Sequence, residues 1–381
     1  MKKLVLSLAI VAAIFTSCSD DDSNPTDGGT KEATLNGNIA TDMTLDANTI
    51  YTIDGPVYVG DGVTLTIPAG TRLEGNVDGD QVAVLAVRQG GKINAQGTAQ
   101  KPIVFTSNSA TPSPGDWGGI VICGKAVTNL GVNVQAEVTG LTYGGTNTAD
   151  NSGVYSYIRV EYAGALINPD AEFNGFTFYA VGSGTTVNNL LAYQGSDDGF
   201  EWFGGSVNAT NLLSIGNQDD SFDWTEGWKG TVTNMYANQS GALAFSADSR
   251  GMEADNNTAN PLLDPISNPT LSNITLIGRN NAAVTSEAGI MLRRGTHGKI
   301  SNVFIKDFIG TGTAPSTGIN FNGTDSQAWF LVNPVTGVQF TNVLANSNPF
   351  EGSAAAFTVS TSATGAGNGA AIPAWASWTG L

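Results

Sequence analysis

VNNLLAYQGSDDGFEWFGGS, residues 187–206, and ATNLLSIGNQDDSFDWTEGW, residues 209–228, carry one pattern twice at a distance of 22 residues. Each copy opens on an apolar residue, a spacer, Asn and another apolar residue, and that opening recurs along the chain. It places Asn at positions 189, 211, 234, 273, 302 and 342, in VNNLLAY, ATNLLSI, VTNMYAN, LSNITLI, ISNVFIK and FTNVLAN. About ten residues later comes a pair of alternating apolar positions: Phe200 and Trp202, Phe222 and Trp224, Phe245 and Ala247, Ile290 and Leu292, Ile319 and Phe321, Phe357 and Val359. Phe176 and Phe178 supply an earlier member. Short strands of period 2, repeated every 22 to 24 residues, describe a solenoid in which each coil lies on the last.

Among solenoids, the period and the missing leucine spacing select an all-β, single-domain right-handed parallel β-helix. The Asn column has a structural role there, because stacked amides hydrogen-bond to the coils above and below. The amino-terminal half is less regular, yet VTLTIPAGTRLEG, AVLAVRQGGKINAQGTAQKPIVFTS, GDWGGIVICGKA and YSYIRVEYAG again read as short strands between Gly-rich turns. These segments and the repeat resemble the pectate-lyase-like β-helical architecture over roughly residues 45–359. At about 25 residues per coil the chain predicts roughly 12 to 14 coils, with Trp375 and Trp378 capping the last.

The chain begins MKKLVLSLAIVAAIFTSCSDDDSN: two lysines, an apolar run and small residues ahead of Cys18, the layout of a bacterial export signal. Ser17 and Cys18 resemble a lipobox, and SDDD after the cysteine resembles the surface-export signal of Bacteroidota lipoproteins. The implied organisation is a signal peptide over 1–17, a lipidated Cys18 with an acidic tether over 18–31, and the β-helix over 32–381. That resemblance implies an outer-membrane protein, lipid-anchored and facing the exterior. With Cys18 lipidated, Cys123 has no partner for an internal disulfide. Loss of Lys2 and Lys3 leaves 14 basic against 33 acidic residues, a net charge of −19, which excludes nucleic acid as a partner.

Superposing the two copies stacks Asp197 on Asp219, Asp198 on Asp220 and Glu201 on Asp223, with the Phe and Trp residues turned inward. The next coil is expected to break this column at Ala242, Leu243 and Ser246. Like charges about 5 Å apart repel by about 1 kcal/mol in water and about 3 kcal/mol at intermediate dielectric. The cluster therefore stays solvated, shares protons or takes a cation, and Ca²⁺ suits its oxygens, with Asp197, Glu201, Asp219 and Asp223 as ligands. SDDG and QDDS also resemble the paired aspartates of polygalacturonases, which would make Asp197, Asp198, Asp219 and Asp220 catalytic, with Arg293 binding substrate. The Gly-His-Gly motif of that family is missing, and the single histidine, His297, falls in a turn farther on.

Trp117, Phe203 and Trp228 are candidates to stack on sugar rings, and Arg293 and Arg294 to bind ligand or balance the acids. Three readings follow: a non-catalytic scaffold that binds glycan or a cell-surface partner protein, a polysaccharide hydrolase or lyase, and a structural spacer.

Overall fold

The computed structural model describes residues 31–169, 171–246, 249–284, 288–311 and 316–381; the export signal, Cys18 and most of the acidic tether lie outside these. The described chain winds as a right-handed parallel β-helix with three strand faces. Each winding runs along face A, turns onto face B, then crosses face C and returns to face A. In the sixth winding, for example, residues 190–193 lie on face A, Phe200–Phe203 on face B and residues 208–210 on face C. Face B stacks ten strands in register, from residues 37–39 to Thr317–Phe321, and Ser347 bridged to Ile319 marks an eleventh winding. Eleven windings among the described residues is fewer than the 12 to 14 expected, because long insertions consume chain without adding a turn.

Faces C and A are joined by one sharply bent residue rather than by a loop. Asn189, Asn211, Asn234, Asn273 and Asn302 take φ values of 52 to 65°, the left-handed region that asparagine tolerates better than other residues with a Cβ. Each amide donates to the one before it: Asn211 to Asn189 at 3.0 Å, Asn234 to Asn211 at 2.8 Å, Asn273 to Asn234 at 2.9 Å and Asn302 to Asn273 at 2.8 Å. The expected sixth member, Asn342, is not in this ladder. Strand register places Gly337 (φ 67°) beside Asn302, and Asn342 instead donates to Asp307 at 2.6 Å.

Inside, like stacks on like. Phe176, Phe200 and Phe222 lie 5.1 and 5.6 Å apart, Phe178 and Trp202 5.7 Å apart, and all are fully buried. Near the last windings, Phe330 of the helix Thr324–Val332, Phe350 and Phe357 pack on Phe321. Trp375 and Trp378, expected as the end cap, are elsewhere. Residues 361–381 run back along the outside of face A, where Trp378 meets Tyr157 edge-on and joins Leu191, Leu213, Tyr236 and Ile277 in a second apolar layer.

A third apolar layer covers the outside of face B. The insertion 124–152, with the hairpin Val134–Gln135 and Thr142–Tyr143, and a smaller hairpin of Leu166–Asn168 and Ala171–Glu172 lie over it. Val84, Val121, Cys123, Tyr179 and Phe203 are buried beneath, so strands such as Ile120–Cys123 are apolar on both sides. Burial pushes the Cys123 thiol up to about 12, leaving it inert.

The ladder has a measurable consequence. Asn234→Ala loses two amide hydrogen bonds and forces alanine into a left-handed φ, whereas Asn234→Gly loses only the bonds. Urea unfolding should show a loss of about 3 kcal/mol for alanine and about 2 kcal/mol for glycine. Equal losses would mean that the bend itself stores no cost.

Candidate functional site

Where the apolar cover on face B stops, the outward residues become acidic. Register stacks Thr177, Glu201, Asp223, Glu253, Met291 and Asn320 in one outward column. Beside it, on the corner that leads from face A, Asp197 stacks with Asp219 and Asp198 with Asp220. The acidic column thus continues one winding beyond the expected break. Of the expected inward pair, Phe245 is exposed and Ala247 lies outside the described residues; Arg250–Ala254 is the strand of that winding, with Met252 and Ala254 inward.

The signal that sets this register is a small residue before each inward pair: Gly175, Gly199, Ser221, Gly251, Gly289 and Gly318. A Cβ on Gly175, Gly251 or Gly289 would lie 2.5–2.7 Å from a carbonyl of the next winding, which accounts for glycine there. The motif in GMEA identifies the eighth winding where aromatic content does not.

These acids line a cavity of about 360 Å³ walled by the two face B insertions. Among the described residues, nine carboxylates face it: Glu137, Glu172, Asp197, Asp198, Glu201, Asp219, Asp220, Asp223 and Glu253, together with Asn174 and Arg250. Two of them also hold the backbone. Asp198 accepts the Asp220 N–H at 2.8 Å, and Asp220 accepts the Arg250 N–H. Ser246 donates its hydroxyl to Asp219, and Asn174 donates to Glu201 at 2.6 Å. Three lining oxygens remain without a hydrogen bond although shielded from solvent: Oδ1 of Asn174, itself only 3 % exposed, Oδ1 of Asp223, and Oε1 of Glu253, which has the Arg250 guanidinium as an ion-pair partner instead.

The carboxylates are not neutralised evenly. Toward the later windings, Glu253 pairs with Arg250 at 3.2 Å and with Arg293, while Asp255 receives Arg293 at 2.7 Å and Arg294 at 2.6 Å. Among the described residues, Asp197, Asp198, Glu201 and Asp223 make no such ion pair. Burial first, and the neighbouring acids second, push all four well above the usual carboxylate range. Asp220 is raised too, by burial and then Asp219, with Arg250 opposing. Asp255 rises to about 6, with burial outweighing Arg294.

Three groups of oxygens each lie within 4.8 Å of one another: Asp197, Asp198 and Asp219; Asp198, Glu201 and Asp223; and Asp220, Asp223 and Glu253. The first two share Asp198 and contain all four residues expected to hold Ca²⁺. In the third, Glu253 is already paired with Arg250 and Arg293. Ionised carboxylates only accept hydrogen bonds, so the lining suits cations and donor-rich ligands and repels anions.

Other expected site residues lie apart. Arg293 does not line the cavity and is committed to Glu253 and Asp255. Trp228 is fully buried against Trp202, at 4.5 Å, because the turn after Phe222–Thr225 folds inward. Trp117 is also fully buried, donating to the Glu161 carbonyl at 2.7 Å, and Phe203 packs on Tyr179 at 4.3 Å. None of the three aromatics offers a face to a sugar. His297 stacks on Trp329 at 3.7 Å, away from the cavity.

Carboxylates raised on folding make the folded state favour bound protons. Their contribution is complete below about 4, where unfolded aspartate titrates, and is lost as pH rises through the raised native values. In a chelating buffer the melting temperature should fall from pH 5 to pH 8. Asp223→Asn, which removes one unpaired charge, should raise it at pH 8 and flatten the profile; a lower value at pH 8 would contradict this account of the wall.

No match was found among curated proteins. Among solved structures, the catalytic domain of a GH87 α-1,3-glucanase in complex with nigerose is similar at 13% identity and a TM-score of 0.30, over 91% of this chain and 70% of that one. The model of the pectate-lyase-like β-helix domain matches residues 37–379, nearly the whole described chain, in agreement with the winding set out above. The chain belongs to the pectate-lyase-like β-helix domain family.

Proposed function

We propose that this protein binds glycan through the acidic cavity on face B, with a divalent cation, Ca²⁺ by preference, held among Asp197, Asp198, Glu201, Asp219 and Asp223. The observation that carries this reading is the cavity lining: nine carboxylates converge, Asp197, Asp198, Glu201 and Asp223 among them make no ion pair with a described residue, and the shielded Oδ1 atoms of Asn174 and Asp223 have no hydrogen-bond partner. A hard cation with a flexible oxygen shell meets these requirements together. A sugar suits the remaining space, because its hydroxyls donate to carboxylates and complete the shell of a partly coordinated ion. An anionic sugar would enter through the cation, since the bare wall repels it.

A second reading, glycan cleavage, has one specific observation in its favour. Carboxylates from adjacent windings face each other while burial holds them toward the protonated form, as a general acid requires. The binding reading asks for less, because no residue beyond the cation ligands needs a role. Export and anchoring through Cys18 belong to the same proposal and place the cavity at the cell exterior. Cys18→Ser should abolish labelling of the protein by a radioactive fatty acid in the producing cell; persistent labelling would dispose of the anchor.

The purified protein should gain melting temperature with millimolar Ca²⁺, by the equivalent of about 2.7 kcal/mol at a hundredfold excess over Kd. Asp198→Asn and Glu201→Gln should each abolish that gain. A glycan array read with Ca²⁺ and with chelator then separates the readings. Cation-dependent retention without products supports binding, released oligosaccharides support cleavage, and an unchanged melting temperature rules out the cation.

A further inference from the structure

The carboxyl group of Glu226 is outside the cavity and has no part in the function proposed above. It sits in the turn after Phe222–Thr225, at φ 59°, partly buried beneath the insertion 124–152. Its Oε2 accepts the Tyr143 hydroxyl at 2.7 Å and the Thr128 hydroxyl at 3.2 Å, both from that insertion. Its backbone carbonyl accepts the Asn129 N–H at 3.0 Å. The same insertion carries Glu137 into the cavity wall, where Glu137 accepts the Tyr179 hydroxyl at 2.9 Å. The rings of Tyr143 and Tyr179 lie 4.8 Å apart, so an unbroken line of contacts runs from Glu226 through Tyr143 and Tyr179 to Glu137.

We propose that Glu226 is a positioning residue: its carboxyl group latches the 124–152 insertion to the seventh winding and thereby sets where the cavity wall, with Glu137, stands. The groups that face it are the Tyr143 and Thr128 hydroxyls, and Glu137 is the nearby charge. Burial, opposed by the two hydroxyls, pushes Glu226 up to about 7. The sign follows from a raised carboxylate. The docked insertion is fully favoured below about 4.5, where the free group titrates, and this advantage is lost as pH rises through about 7. The wall therefore loosens over the upper part of that range, before any cavity ligand is considered.

The latch rests on the cavity reading only for its consequence, so its test is run in chelator without ligand. Hydrogen exchange over residues 134–143, expressed as protection factors, should fall about tenfold between pH 5.5 and pH 8.5 in the unaltered protein. Glu226→Gln keeps the acceptor and removes the charge, and should hold protection at its pH 5.5 value throughout. Tyr143→Phe should lose protection at both pH values, with the melting temperature of the β-helix taken alongside to show that it remains folded. Glu226→Gln retaining the pH dependence of the unaltered protein, or Tyr143→Phe leaving protection unchanged, would overturn the proposal. A protein that shows the latch but no Ca²⁺ stabilisation would remove the cation site and leave the latch standing.

Discussion

Parallel, in-register stacking sets each side chain about 4.8 Å from its counterpart in the next winding, and the remaining features of this molecule are answers to that proximity. For asparagine the answer is favourable, since an amide both donates and accepts and can repeat indefinitely. For aromatic rings it is favourable as well: Phe176, Phe200 and Phe222 share one stack, fully buried. For carboxylates it is unfavourable at every step. The acidic column is therefore brief, spans Glu201 to Glu253, and is ended by arginines on one side and an apolar cover on the other.

The solenoid was legible because its period and its inward apolar pairs are local properties of the chain. Asn189 through Asn302 could be assigned from spacing alone, since the bend they make is a property of single residues. Asn342 shows the limit of that reasoning. It also adopts a left-handed φ, yet the column passes through Gly337, five positions earlier, and only strand pairing distinguishes the two.

Half of the cavity could likewise be read in advance. Asp197, Asp198, Glu201, Asp219, Asp220 and Asp223 belong to two adjacent repeats, and superposing those repeats brings them together. Glu253 was missed because aromatic content pointed to Phe245, whereas the glycine before Met252 marks the strand. Glu137, Glu172 and Asn174 come from insertions and corners of earlier windings, and no spacing rule reports where an insertion folds back. The aromatics failed for a related reason: Trp117 and Trp228 lie off the strands, but the corners turn inward and the interior is wide enough to take them.

The returning carboxy-terminal segment alters what kind of object this solenoid is. A stack of coils joined only to their neighbours can fray from an end one coil at a time. Here the Thr379 carbonyl accepts Arg159 from 220 residues earlier, and Thr275 and Tyr236 donate to Gly369 and Ala370. Residues 369–379 thus bind windings 94 to 220 residues earlier in the chain, and those contacts form only once this segment has folded back onto them. With that segment docked, the final windings can come apart only as a closed loop or together with the segment, which ties the end of a one-dimensional stack to its middle.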